Sequence, residues 1–286
     1  MDPKRLIIVG AGGQLGRALQ AKYPAARAVD IDELDISNRQ AVDEFDWSCV
    51  DVIVNAAAYT NVDGAETSEG RLAAWQVNAV AVKNLTYAVW KHQLQAIVHI
   101  STDYVFDGSK NSHNETEAFS PLSVYGASKA AGDLLVSQVD KHYILRTSWV
   151  IGEGKNFVRT MLDLGSKGIS PQVVSDQIGR LTFTDELVRA IDHLLTTKAP
   201  FGTYNATNSG APTSWADITR VIFKHAGYDD LSVTDTTTAA YYAGKAGIAM
   251  RPLQSTLDLD KINAIGFVSH DWQEDLQTYI AKELGK

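Results

Sequence analysis

The sequence is poor in cysteine, in proline and in positive charge, and it has no long hydrophobic run. Cys49 is the single cysteine, so no intrachain disulfide can form, and no Cys/His cluster has the spacing of a zinc site. Seven prolines against 21 glycines in 286 residues exclude a collagen-like or proline-rich low-complexity chain. Lys and Arg number 26 against 34 Asp and Glu, a net charge of −8. That sign argues against a nucleic-acid backbone or an anionic membrane as the main partner. It does not exclude an anionic small ligand, because a helix N-terminus binds phosphate locally. The first apolar run, Leu6 to Val9, is too short for a signal-peptide core or a membrane span. The expectation is a cytoplasmic protein with no membrane and no nucleic-acid partner.

What is present is a globular composition, 45% hydrophobic and 21% charged, long enough to bury a core without staples. Short runs at Leu6–Val9, Ala28–Val29, Val52–Val54, Ala96–Ile100 and Tyr143–Leu145 read as buried strands. Helical stretches such as Leu72 to Trp90 lie between them. That alternation predicts right-handed crossovers and a Rossmann-type, doubly wound parallel α/β sheet. After Trp149 the rhythm changes, with a helical stretch from Asn156 to Leu164. Thr184 and Ser214 read as N-caps of later helices, and Trp272 to Ile280 as the last helix. Residues 229–251 read as mostly loop. The expected division is a dinucleotide-binding domain over 1–150 and a smaller, mainly substrate-binding C-terminal lobe over 151–286. Helices from about 176–200 are free to return to the sheet.

Gly10, Gly13 and Gly16 follow the first strand directly and open a helix. This context points to a dinucleotide pyrophosphate held by backbone N–H groups at a helix N-terminus. Gln14 and Leu15 belong to the same turn. Asp30 lies at the end of the second strand, where an acid accepts from the adenosine ribose 2′-hydroxyl and favours NADH. The plain alternative is a turn-forming aspartate, and Asp35-Ile36 is a second candidate beside the adenine. NADPH stays open, with Arg17 or Arg39 as phosphate contacts. Ala56, Ala57 and Ala58 end the third strand and leave room for a ligand, or merely allow tight packing.

Tyr-x-x-x-Lys places both side chains on one helix face. The pattern is cheap: it occurs at Tyr87/Lys91, Tyr125/Lys129 and Tyr241/Lys245. Only Tyr125/Lys129 follows a hydroxyl-rich strand end, Ser101-Thr102-Asp103. Thr102, Tyr125 and Lys129 are therefore the candidate catalytic set. A tyrosine tuned by a nearby ammonium would donate a proton as hydride reaches a carbonyl, with Thr102 hydrogen-bonded to the same oxygen.

At this density of motifs the sequence resembles the extended short-chain dehydrogenases/reductases, and within them the dTDP-4-dehydrorhamnose reductase family. The resemblance is carried by the glycine turn and by Asn55-Ala56-Ala57-Ala58-Tyr59-Thr60 with Val62-Asp63. It continues through Ser101 to Gly108, Tyr125 to Lys129, Arg146 to Val150, Asp176-Gln177 and Arg251-Pro252. It implies NADPH- or NADH-dependent reduction of the 4-keto group of dTDP-6-deoxy-L-lyxo-4-hexulose to dTDP-L-rhamnose. It also implies that Tyr125 and Lys129 touch the cofactor. Thr102, Tyr104, Tyr125, Trp149 and Arg251 would meet the sugar nucleotide. Arg251 would pair with its diphosphate, or else simply with a surface carboxylate. Some family members dimerise through a metal held partly by an acid after the glycine turn. Here the helix reads Arg17-Ala18-Leu19-Gln20, so no metal is expected, and a homodimer is left open. Two rival readings share the scaffold: a sugar-nucleotide epimerase or dehydratase, and a cofactor-binding regulatory subunit of the methionine adenosyltransferase type.

Overall fold

In the computed structural model, which describes residues 1–285, the alternating runs of the first half become a wound α/β layer. β1 (Leu6–Val9) passes through the glycine turn into α1 (Gln14–Lys22), then β2 (Arg27–Val29), α2 (Arg39–Glu44) and β3 (Val52–Asn55). There follow α3 (Ser68–Trp75), α4 (Ala81–His92), β4 (Ala96–Thr102), α5 (Val124–Val136) and β5 (His142–Thr147). Polar caps start the helices: Asn38 accepts from the N–H groups of Gln40 and Ala41, Thr67 from Gly70, and Ser123 from Gly126.

The second half opens with β6 (Val150–Ile151), α6 (Phe157–Ser166), β7 (Gln172–Val174), β8 (Ile178–Gly179) and β9 (Thr182–Phe183). Next come α7 (Thr184–Thr197), β10 (Gly202–Asn205), β11 (Thr213–Ser214), α8 (Trp215–Ala226) and β12 (Thr234–Thr236). α9 (Thr238–Tyr242), α10 (Asp260–Ala264) and α11 (Trp272–Glu283) complete the chain.

The main sheet has the order β10-β5-β4-β3-β1-β2 and is parallel throughout. The chain winds away from β1 in both directions, so a crevice opens at the carboxyl ends of β1 and β3, the place where such sheets bind ligands. Alternate side chains feed two cores. Leu6, Ile8 and Val54 pack with Leu15 and Leu19 of α1 and Ile191 and Leu194 of α7. Ile7, Val9 and Ile53 face Val82, Leu85 and Val89 of α4. Burial on both faces explains why these strands read as continuous apolar runs. A third core, including Ile151, Val158, Phe183, Ile222, Trp272 and Ile280, belongs to the second half.

Three local expectations change. The expected helix from Leu72 to Trp90 is interrupted by a π turn over Gln76–Val80. The extra residue re-phases the helix and buries Asn78 against α5, where a regular helix would keep one face throughout. Thr184 is the first residue of α7 and makes no cap bond; Phe183 occupies the cap position. The segment 229–251 holds β12 and α9, because β12 pairs in parallel with β7, a partner distant in sequence. α7 and β10 both return to the main sheet, α7 packing on α1 and β10 on β5.

Candidate functional site

The glycine turn is built for close backbone approach. Gly10 has φ +82°, and a Cβ there would stand 2.5 Å from the backbone nitrogen of Ala57. A Cβ at Gly16 would run into the carbonyl oxygen of Gly10. Gly13 caps α1 with no side-chain bond, leaving N–H groups at that helix start for an anion. A cavity of about 290 Å³ opens beside the turn, lined by Gly10, Gly13, Asp30, Asp35, Ile36, Ala56, Ala57 and Ala58. The turn glycines and the small strand-end residues fit a dinucleotide because a larger side chain would fill this cradle.

Asp30 makes turn contacts and also stands at the cavity wall. Its Oδ2 accepts from Gly12 N–H at 2.6 Å and its Oδ1 from Ile31 N–H at 2.8 Å, yet the residue also lines the cavity. The two candidate phosphate contacts are both engaged within the protein. Arg17 donates to the carbonyl oxygens of Gly12 and Glu153. Arg39 pairs with Asp43 at 2.8 Å and lies over the Tyr87 ring. Leu15 is buried in the core rather than facing the cavity, and Gln14 lines a different one. That second cavity, about 510 Å³ beside α1, α7 and α11, is larger, but it lies away from the strand-end alanines and from Tyr104.

The strand end at Ala56–Ala58 is held from below. Asn55 donates from Nδ2 to His99 Nδ1 at 3.1 Å and accepts from Ala57 N–H at 3.2 Å. Complete burial, with the Lys129 ammonium nearby, pushes His99 well below its ordinary range, so the ring is neutral. Asn78, in the π turn, accepts from Tyr59 N–H at 2.9 Å. It donates to Tyr59 O at 3.1 Å and to Ser128 Oγ at 3.0 Å. It thereby ties the loop after β3 to the helix that carries Tyr125 and Lys129.

The structure brings Thr102, Tyr125 and Lys129 together. Thr102 ends β4, and Tyr125 enters on the first turn of α5, facing the Thr102 hydroxyl. The Tyr104 ring meets the Tyr125 ring edge-on at 5.5 Å. Lys129 is fully buried and donates from Nζ to Ile100 O at 2.6 Å. Burial lowers this ammonium to about 8, opposed by the Asp133 carboxylate. Burial drives the Tyr125 phenol upward, the Thr102 hydroxyl opposes that, and the carboxylates of Asp103 and Asp133 add to it. In the protein alone the lysine is therefore not among the groups that shift the phenol, and its ammonium donates to a main-chain carbonyl. A phenol held protonated at neutral pH is an acid, the form a carbonyl reduction needs.

Beside this set lies an aromatic cavity of about 430 Å³, lined by Tyr104, Trp149, Phe157, Gln177, Trp215, Tyr242 and Arg251 among others. Trp149 has φ +47° and stacks on Trp215 with centroids 3.8 Å apart. A bulky residue in that backbone region is strained, and the stack and the wall at Gly179 hold it there. Arg251 donates to Asp63 at 2.8 Å and to Ala249 O at 3.0 Å while facing the cavity. Its carboxylate pairing is thus the one the structure contains. Asp63 is held below its ordinary range by Arg251 and by Ala249 N–H, although burial opposes this. Sequence reasoning did not single out Asp103, Asn78, Trp215 or Tyr242. Asp103 stood within a quoted motif, while the others carry no local signal. The two other Tyr-x-x-x-Lys pairs do not join the set: Lys91 pairs with Asp43, and Lys245 lies over Tyr241.

Comparison with known proteins agrees with this geometry. The family profile described as RmlD substrate binding domain matches residues 4–284. A dTDP-4-dehydrorhamnose reductase of Aggregatibacter actinomycetemcomitans is 41% identical over 298 residues, 96% of this chain and 97% of that protein. The crystal structure of a dTDP-4-dehydrorhamnose reductase from Clostridium acetobutylicum is similar with a TM-score of 0.89 and 36% identity, over 98% of this chain and 99% of that one. That of the Bacillus anthracis enzyme in complex with NADP is similar with a TM-score of 0.87 and 35% identity, over 97% and 98% of the two chains. With a profile spanning nearly all its residues and relatives matched over nearly their full length, the chain belongs to the dTDP-4-dehydrorhamnose reductase family.

Proposed function

We propose that the protein is an oxidoreductase that uses NADPH or NADH to reduce the 4-keto group of dTDP-6-deoxy-L-lyxo-4-hexulose, giving dTDP-L-rhamnose. The observation that carries this reading is the convergence of Thr102, Tyr125 and Lys129 at the end of β4, with the Tyr125 ring against Tyr104 of the aromatic cavity. A nicotinamide bound in the crevice would supply hydride. Tyr125 delivers the proton to the sugar oxygen, and Lys129 holds the nicotinamide ribose. Gly10, Gly13 and Gly16 receive the pyrophosphate by their backbone, and Asp30 accepts from the adenosine ribose 2′-hydroxyl. Ile36, Asp35 and Ala56–Ala58 wall the adenine side.

Tyr104, Trp149 and Arg251 receive the sugar nucleotide. An indole offers a flat apolar face to a sugar or base, and Arg251 has guanidinium N–H groups to share between Asp63 and a diphosphate. The same reading divides the chain into a cofactor domain over 1–150, with α7 and β10 added to it, and a substrate lobe from the remainder. Among the described residues no helix is long and apolar enough to cross a membrane. A cytoplasmic enzyme, alone or as a homodimer, suits a soluble nucleotide-sugar substrate.

The test is a turnover assay with the dTDP-keto-sugar and each reduced cofactor. Stoichiometric loss of reduced-cofactor absorbance with formation of the deoxysugar is expected. An epimerase or dehydratase would recycle its cofactor and show no net loss. Binding of a methionine adenosyltransferase without any turnover would favour the regulatory reading.

A further inference from the structure

Arg251 is the only charged side chain among the described residues that line the aromatic cavity. An anionic part of a ligand there has this one guanidinium to meet it, so the place of that group matters. Its side chain is 15% exposed and is held on three sides. Nη2 donates to Asp63 Oδ2 at 2.8 Å, and Nη1 donates to Ala249 O at 3.0 Å. The guanidinium carbon lies 4.9 Å from the centre of the Tyr242 ring. Asp63 also accepts from Ala249 N–H through Oδ1, at 3.0 Å. One carboxylate thus grips both the backbone and the guanidinium of the same short stretch. It reaches them from the loop after β3, 188 positions earlier, shortly beyond the alanines that wall the crevice.

The strap from α9 to Arg251 is fastened at each end by an aspartate. At its start, Asp176 Oδ1 accepts from the Thr238 N–H at 2.8 Å and from the Thr238 hydroxyl at 2.7 Å. At its end stands Asp63. Between the two, residues 243–247 are exposed and carry no helix or strand. Gly244 and Gly247 take φ +74° and +72°, with open space where a Cβ would stand. Such a stretch does not by itself fix an arginine, whose long side chain carries a large rotamer entropy. We propose that Asp63 is a positioning residue for the sugar nucleotide: its carboxylate clamps the end of the strap and holds the Arg251 guanidinium in place before the diphosphate arrives.

This rests on the reductase reading above and adds a residue to it. A guanidinium has five N–H groups. Asp63 and Ala249 engage two of them, and three remain for phosphate oxygens. The carboxylate has two opposed effects on a diphosphate. Its charge repels the ligand, but the Asp63 side chain is 39% exposed, where water and salt screen a charge. Its grip spares the ligand the cost of ordering the arginine, and that saving is not screened. Positioning therefore outweighs repulsion.

The two effects have opposite signs in one experiment. Calorimetric binding of dTDP and of thymidine is compared in the full chain, because only dTDP carries the diphosphate. Asp63→Asn is expected to weaken dTDP by about three- to tenfold, the cost of ordering one long side chain on binding, with thymidine unmoved. KM for the keto-sugar nucleotide rises by the same factor, and kcat changes less. Tighter dTDP binding makes Asp63 a competitor of the diphosphate and overturns the proposal, as does no change. Equal losses for dTDP and thymidine also overturn it, since Asp63 then only closes the cavity. In an Arg251→Gln background, Asp63→Asn should cost nothing further, and a full second loss overturns the proposal because Asp63 then acts without Arg251. If Asp63→Asn does not fold, Asp63→Glu takes its place. It keeps the charge but displaces the guanidinium by a methylene, so the same selective loss is expected, and an equal or absent loss overturns the proposal. A wild-type chain that binds no dTDP overturns it outright. If no keto-sugar is reduced but the selective loss is seen, the assigned reaction fails and this inference stands. Reduction with an unmoved dTDP affinity is the converse.

Discussion

The crevice at the glycine turn and the aromatic cavity beside Tyr104 are built by opposite means. The crevice relies on backbone at its turn, with glycine φ freedom, exposed helix N–H groups and three strand-end alanines, and is closed by side chains that reach to Val77 and Ala81. The cavity is made of side chains drawn from Tyr104 to Arg251, and several of its walls are aromatic. A backbone site tolerates almost no added atom, whereas a side-chain site degrades by degrees. Substitutions should therefore behave differently in the two places, and at Tyr125 differently again.

The largest expected effect is at Tyr125. Tyr125→Phe removes the proton donor and should lower kcat by ~10²–10⁴-fold, while NADH affinity, followed by cofactor fluorescence, changes less than about twofold because only a hydroxyl is lost. Near-normal turnover would break the assignment of the acid.

Gly10→Ala tests the crevice. A Cβ at φ +82° costs about 1–2 kcal/mol before its clash with Ala57 is counted. Cofactor affinity measured by calorimetry should fall by over tenfold, with an accompanying drop in Tm. Asp30→Ser should raise the NADPH-to-NADH affinity ratio by roughly tenfold, since it removes a carboxylate that would repel a 2′-phosphate. An unchanged ratio would leave Asp30 as a turn residue only.

Trp215→Ala tests the cavity. It takes the partner from strained Trp149, a stacked pair worth about 0.5–1.5 kcal/mol. Sugar-nucleotide KM should rise about two- to tenfold, with cofactor binding unaffected. A loss of cofactor binding here would erase the contrast between the two regions.

Lys129→Met has the least intuitive sign. The buried ammonium titrates near 8, below its ordinary 10.5. Between those values the unfolded chain holds more protons, so stability rises with pH across that window and the charge costs stability below it. Lys129→Met should therefore raise Tm by a few degrees at neutral pH and abolish the rise between about 8 and 10.5, although turnover is lost. Differential scanning calorimetry against pH reads both.

How much was legible in the sequence follows from the same contrast. The glycine turn, the strand-end alanines and the Thr102–Tyr125–Lys129 spacing were readable, because each depends on residues near one another in the chain. Strand periodicity was equally local, and every apolar run read as a strand became one. Asn78 was not readable, because its role depends on a π turn that re-phases a helix. Trp215 was not, because its partner lies 66 positions earlier. β12 and α9 were read as loop because their order comes from β7 and from Asp176, which accepts from the Thr238 N–H and hydroxyl.

By itself, then, the sequence determined the winding of the sheet, the glycine turn and strand-end alanines that line the crevice, and the identity of the three candidate catalytic side chains. Hydrophobic period, glycine freedom and helical spacing are properties of short stretches. Only the tertiary structure decided where each proton points. It put the Thr102 hydrogen on Asp103, the Lys129 ammonium on Ile100 and the Arg251 guanidinium on Asp63. Such choices depend on which donor and acceptor are buried together, and burial is a property of the whole fold.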